Sequence, residues 1–171
     1  GFALIGSSNI DSTRTYMYWK IADGTEVSHT ATWTATRRGG LIGVEYSFDA
    51  DEIILESDVY GGDSPMDGEP GLITFTNDVG LLLVGAGMDD NPIEAPVIQN
   101  GSTLEIGSWD LNRIGAHWYQ TFDQAAPYDK GEDLDLSSDD FSVVQCGFSE
   151  VDAGGSAIPA IVQNYRRRRV A

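Results

Sequence analysis

The chain offers few groups for covalent chemistry: two histidines, one cysteine and a large excess of carboxylates. His29 heads an alternating run and His117 lies inside another, and no serine stands on a G-x-S-x-G turn. A Ser-His-Asp relay therefore lacks its sharply presented nucleophile, and both histidines read as structural. Cys146 also sits in an alternating run, which suits a buried, inert thiol. Alone, it can form neither an intrachain disulfide nor a cysteine-built metal site. No phosphate-binding loop or dinucleotide fingerprint occurs in the sequence. Carboxylate pairs are too numerous for any one to mark glycosidase chemistry, which needs two at a set separation. These residues predict a chain that is not an enzyme.

Two kinds of binding chemistry remain. Hard carboxylate oxygens in loops favour calcium. Asp133, Asp135, Asp139 and Asp140 form the densest set; Asp49, Asp51 and Glu52, and Asp89 with Asp90, are smaller ones. None has EF-hand spacing, so each reads more simply as a solvated acidic loop, with calcium as the one cofactor the residue types favour. Aromatic ring faces complement the apolar face of a sugar. Trp109, Trp118 and Tyr119, in and after a loop-rich stretch, are the candidates for glycan stacking, while Trp19 and Trp33 fit core positions.

Charge narrows the partners. There are 27 acids against 10 Lys plus Arg, for a formal net charge of −17. Four of those ten form one run, Arg166, Arg167, Arg168 and Arg169, so the rest of the chain carries 6 basic groups against the 27 acids. Such a body repels nucleic acid and anionic membranes, which bind clustered cations. It suits a high-salt setting or a basic partner. The arginine run can clamp an acidic neighbour, including another copy of the chain. The longest apolar stretch, Val79 to Met88, contains three glycines and falls short of the roughly 18 to 20 residues of a membrane helix.

The elements that position these groups read as strands, with helical periodicity nearly absent. Thr15 to Ile21 alternates Met17, Trp19 and Ile21 with Tyr16, Tyr18 and Lys20; His29 to Thr36 alternates Ala31, Trp33 and Ala35 with threonines. Asp23-Gly24 between them suits a hairpin turn. Tyr16 and Tyr18 then face solvent or a neighbouring subunit, which makes them partner-contact candidates beside the arginine run. A third strand places Ile42, Val44, Tyr46 and Phe48 on one face. Further strands are expected at Phe2 to Ile5, Ile53 to Val59, Leu72 to Thr76, Leu81 to Gly87, Ile114 to Phe122, Phe141 to Phe148 and Ala157 to Tyr165. Leu81 to Val84 is apolar on both faces, as in a central strand. Gly61 to Gly71 and Met88 to Gly101 read as loops, and Tyr128 to Asp140 as a long loop or one short helix. The pattern predicts an all-β chain: one antiparallel β-sandwich or jelly roll over residues 1–165, followed by an arginine-rich tail, 166–171.

The first 45 or so residues carry a more specific signal. GFALIGS from Gly1, YMYWKIADGTE from Tyr16 and the threonine-rich Trp33 strand resemble a phage-associated β-sandwich domain of virion- or tail-type structural proteins. That group has a GWTLIGS start, a YVYWKIADGSE hairpin, a threonine-rich strand, an AAVIAEY-like strand and a final AAIVA strand. Arg38 to Tyr46 and Ser156 to Tyr165 stand in the last two roles. The resemblance implies a virion location, contacts with other virion proteins including copies of itself, and no catalytic motif. A carbohydrate-binding adhesion module is the alternative. Members of the group begin further upstream, so a processed or truncated start at Gly1 is expected, with a neighbouring chain completing the sheet edge.

Overall fold

A run such as Leu81-Leu-Leu-Val84, with no polar side, needs strands on both edges and cover on both faces. The computed structural model describes residues 1–10, 13–25, 30, 32, 41–47, 52–61, 67–68, 70–88, 97–108, 115–135 and 141–151. Among these residues every regular element is a strand, and every pairing is antiparallel. In chain order they are β1 (Ala3–Ile10), β2 (Thr13–Trp19), β3 (Glu52–Gly61), β4 (Asp67–Gly68), β5 (Ile73–Phe75) and β6 (Val79–Met88). They continue as β7 (Val97–Ile98), β8 (Thr103–Ser108), β9 (Gly115–Asp123), β10 (Tyr128–Lys130), β11 (Leu134–Asp135) and β12 (Phe141–Val151).

Among the described residues the main sheet has five strands in the order β3-β12-β6-β9-β8, so the apolar run lies in its centre, as its sequence requires. Three smaller sheets accompany it: β1-β2, β10-β5 and β4-β11-β7. Alternation along β6 splits the core in two. Leu82, Val84 and Ala86 join Trp118 and Phe122 of β9 and Val143 of β12 against Ile73, Phe75, Tyr128 and Leu134. On the opposite face Leu81 and Leu83 join Cys146 and Phe148 against Ile5, with Met17, Trp19 and Tyr46 packed over them.

Close approach fixes two glycines. A Cβ at Gly147 would stand 2.8 Å from Phe75 Cζ and 2.9 Å from Ile73 Cγ2; one at Gly80 would stand 2.6 Å from Phe75 Cδ1. Bare backbone at both places lets the Phe75 ring lie on the sheet, stacked on Tyr128 at 5.1 Å between centroids.

A buried polar node ties the smaller elements to the main sheet. The Glu132 carboxylate is fully buried and accepts the backbone N–H of Asn100 at 2.6 Å and of Ser102 at 2.9 Å. Its own backbone N–H donates to Gln145 Oε1 at 3.0 Å, while Gln145 Nε2 donates to the Gly71 carbonyl. Each carboxylate oxygen thus meets a donor, which offsets the cost of burying the group.

The structure departs from the sequence reading in several places, among them β4 and β7, which lie inside segments read as loops. β2 pairs with β1, a pairing the sequence reading did not include, with two residues between Ile10 and Thr13. At the expected Asp23-Gly24 turn the chain bends: Gly24 has φ +79°, and the Thr25 N–H donates to Asp23 Oδ1 at 2.9 Å, while residues 26–29 lie outside the described residues. Thr30 and Thr32 carry no strand assignment, and the rest of His29 to Thr36 lies outside the described residues; residues 41–47 of the expected third strand alternate in burial but form no strand, and Phe48 lies outside the described residues. Within the acidic stretch, Tyr128 to Lys130 and Leu134 to Asp135 are short strands rather than loop or helix. β8 arises where the sequence showed no strand. The expected strand at Ala157 to Tyr165 lies outside the described residues.

Candidate interaction surface

The β1-β2 ribbon has one face inward and one outward. Inward, Thr15 Oγ1 donates to the Ser142 carbonyl at 2.9 Å, and Trp19 packs on Phe148 at 5.3 Å between centroids. Met17 joins the same cluster, with the Cys146 thiol against its sulfur at 3.2 Å. The outward face follows from the register: Leu4 opposite Tyr18, Ser7 opposite Tyr16, and Asn9 opposite Arg14. Leu4 and Tyr18 are each 53% exposed and Tyr16 52%. The two tyrosine rings are stacked with centroids 6.5 Å apart, and Arg14 Nε donates to Asn9 Oδ1 at 3.0 Å. Phe2 lies exposed just ahead of this row.

Other residues singled out from the sequence sit elsewhere. Trp118 is a correction: only 1% of it is exposed and its ring belongs to the core, so it offers no face to a sugar. Both faces of β9 are covered, which the neighbouring loops disguise in the sequence. Tyr119 is half-buried, on the opposite side, with its ring 6.0 Å from that of Tyr46. Trp109 and Arg166, Arg167, Arg168 and Arg169 lie outside the described residues. Of the acidic set, Asp133 accepts the Gln99 N–H through its backbone carbonyl at 3.1 Å, Asp135 lies in β11, and Asp139 and Asp140 are outside. Asp49, Asp51, Asp89 and Asp90 are outside as well, whereas Glu52 begins β3. Among the described residues no group of three or more His, Cys, Asp or Glu side chains is placed to hold a metal ion. No helix there is long and apolar enough to cross a membrane.

Three titratable groups are tuned by packing. His117 is 9% exposed, and its Nε2 lies 2.8 Å from the Tyr46 hydroxyl. Burial pushes its pKa from 6.5 down to about 4, against a hydrogen bond to the Val84 backbone that pulls it up. Burial raises Tyr128 to about 12, helped by the carboxylates of Glu56, Asp78 and Asp123. For Glu56 burial pushes upward, but hydrogen bonds outweigh it and hold the carboxyl below its ordinary value. Its donors are the Ser149 hydroxyl, the Thr76 N–H and hydroxyl at 2.9 Å each, and Asn77. None of these arrangements was visible in the sequence, because each joins residues far apart in the chain.

No protein-family model, curated protein or solved structure matches the chain.

Proposed function

We propose that this chain is a structural module of a phage virion, a capsid-decoration or tail-associated component that works through protein–protein contacts and has no catalytic task. The observation that carries the reading is the outward row of Leu4, Tyr16 and Tyr18, three large side chains about half exposed on a ribbon whose other face is anchored in the core. Contiguous exposed apolar surface on a rigid element is what an assembly contact uses. The resemblance of the Gly1 to Tyr46 region to virion-associated domains points the same way, and its most specific motif, YMYWKIADGTE, contains the two tyrosines of that row. The reading includes an antiparallel β-sandwich of jelly-roll type, supported by the two buried faces of the five-stranded sheet, each covered by a smaller sheet.

Mass spectrometry of density-purified particles tests the proposal. The chain is expected in stoichiometric amount; its absence from intact particles would end the reading.

A further inference from the structure

Charge on the ribbon differs from charge on the chain as a whole. Residues 1–22 contain one acid, Asp11 between the two strands, against Arg14 and Lys20, in a chain of net charge −17; neither β1 nor β2 itself holds an Asp or Glu. The outward row therefore offers exposed apolar area without carboxylates. Basic partners are drawn to the acidic surface elsewhere, and strongly anionic ones are repelled by the body. A second copy of this chain is subject to the same repulsion, and it meets least of it where strands without acids face each other.

We propose that the outer face of the β1-β2 ribbon is a self-association surface that closes on the same face of a second copy about a twofold axis. In such an isologous contact each Tyr16–Tyr18 pair is set against the row of the other copy, which suits a patch of one chemistry. This rests on the reading of the chain as an assembly component and names one partner for it. Phe2, Leu4, Tyr16 and Tyr18, each about half exposed, present on the order of 400 Å² together. That is about half of the roughly 800 Å² per partner that a standard stable interface buries. The contact is therefore weak between two free molecules and becomes firm when several are held on one assembly.

Salt separates this contact from one made by charge. The Debye length falls from about 30 Å at 0.01 M to about 3 Å at 1 M salt, so screening relieves the repulsion between two acidic bodies and leaves apolar burial intact. Sedimentation equilibrium of the whole chain, from micromolar to millimolar protein, is the test. Self-association is expected to strengthen as salt rises. Tyr18→Glu is expected to weaken it at least about tenfold, as loss of a central aromatic anchor does; the double variant Tyr16→Ser, Tyr18→Ser should do the same. Leu72→Ser, at a still more exposed apolar residue off the ribbon, should leave it unchanged. Unaltered urea midpoints establish that the variants are folded. A chain that stays monomeric at millimolar concentration in high salt overturns the proposal. So does association that weakens with salt, or that survives both ribbon variants. Particle purification is read separately: a chain present in particles but monomeric refutes this surface and leaves the assembly reading, whereas a dimer absent from particles does the reverse.

Discussion

His117 makes the packing of the Tyr46 side testable by pH. Its ring lies between the main sheet and Tyr46, with its pKa near 4 in the folded chain against 6.5 when solvated. Neutral imidazole has one N–H and one bare nitrogen, so the Tyr46 hydroxyl can donate to Nε2 while the other nitrogen bonds the Val84 backbone. Between pH 6.5 and 4 the unfolded chain takes up a proton that the folded chain refuses, and stability therefore falls as pH falls through that window. At about 1.4 kcal/mol per pH unit, the contribution lost is about 2 kcal/mol at pH 5 and about 3 kcal/mol at pH 4. The 27 acids also titrate near the lower end, so the informative quantity is a difference. Urea unfolding of the wild type and of His117→Gln at pH 7, 6 and 5 supplies it, since the carboxylates are common to both. The stability gap between wild type and variant is expected to shrink by about 2 kcal/mol from pH 7 to pH 5. A gap that stays constant would falsify the buried, neutral histidine.

Other perturbations have equally definite outcomes. Absorbance titration should show one tyrosine ionising near pH 12, above the ordinary 10.0, and Tyr128→Phe should remove that late step rather than an earlier one. Gly147→Ala drives a methyl into Phe75 and Ile73 and should cost about 1–3 kcal/mol of unfolding free energy. Gly43→Ala, with no atom within 4 Å of its new Cβ, should change stability by less than about 0.5 kcal/mol. Glu132→Gln turns an amide NH₂ toward the Asn100 or Ser102 N–H and should cost about 1–3 kcal/mol at pH 7, read from urea midpoints.

Strands whose two sides differ sharply, or do not differ at all, were legible. The alternation of Tyr16, Met17, Tyr18 and Trp19 returns as alternating exposure, and the Leu81 to Val84 run returns as the central strand. Pairing partners were not legible, because the ladder depends on which segments meet rather than on what each contains. β12 shows this most clearly: both strands it pairs with, β3 and β6, end more than fifty residues before it begins. Strands of two or three residues, such as β4, β7 and β11, are too short to show any period. Of the candidate residues, Tyr16 and Tyr18 could be placed because their strand has one covered face. Trp118 could not, because β9 is covered on both. Glu132 was hidden by its acidic neighbours, since nothing in composition separates a buried carboxylate from a solvated one.

The position of β12 bears on how the chain comes into being. This strand joins β3 to β6 and contributes to both cores, yet its residues follow those of either partner by more than fifty positions. The Thr15–Ser142 and Met17–Cys146 contacts span 127 and 129 residues. Such closures exact their loop entropy before any packing repays it, which slows folding. During synthesis β3 and β6 emerge long before the strand that will lie between them, leaving their open edges and apolar sides in need of protection. A chaperone, or rapid completion of synthesis, would matter more to the yield of this protein than to the stability of the finished fold.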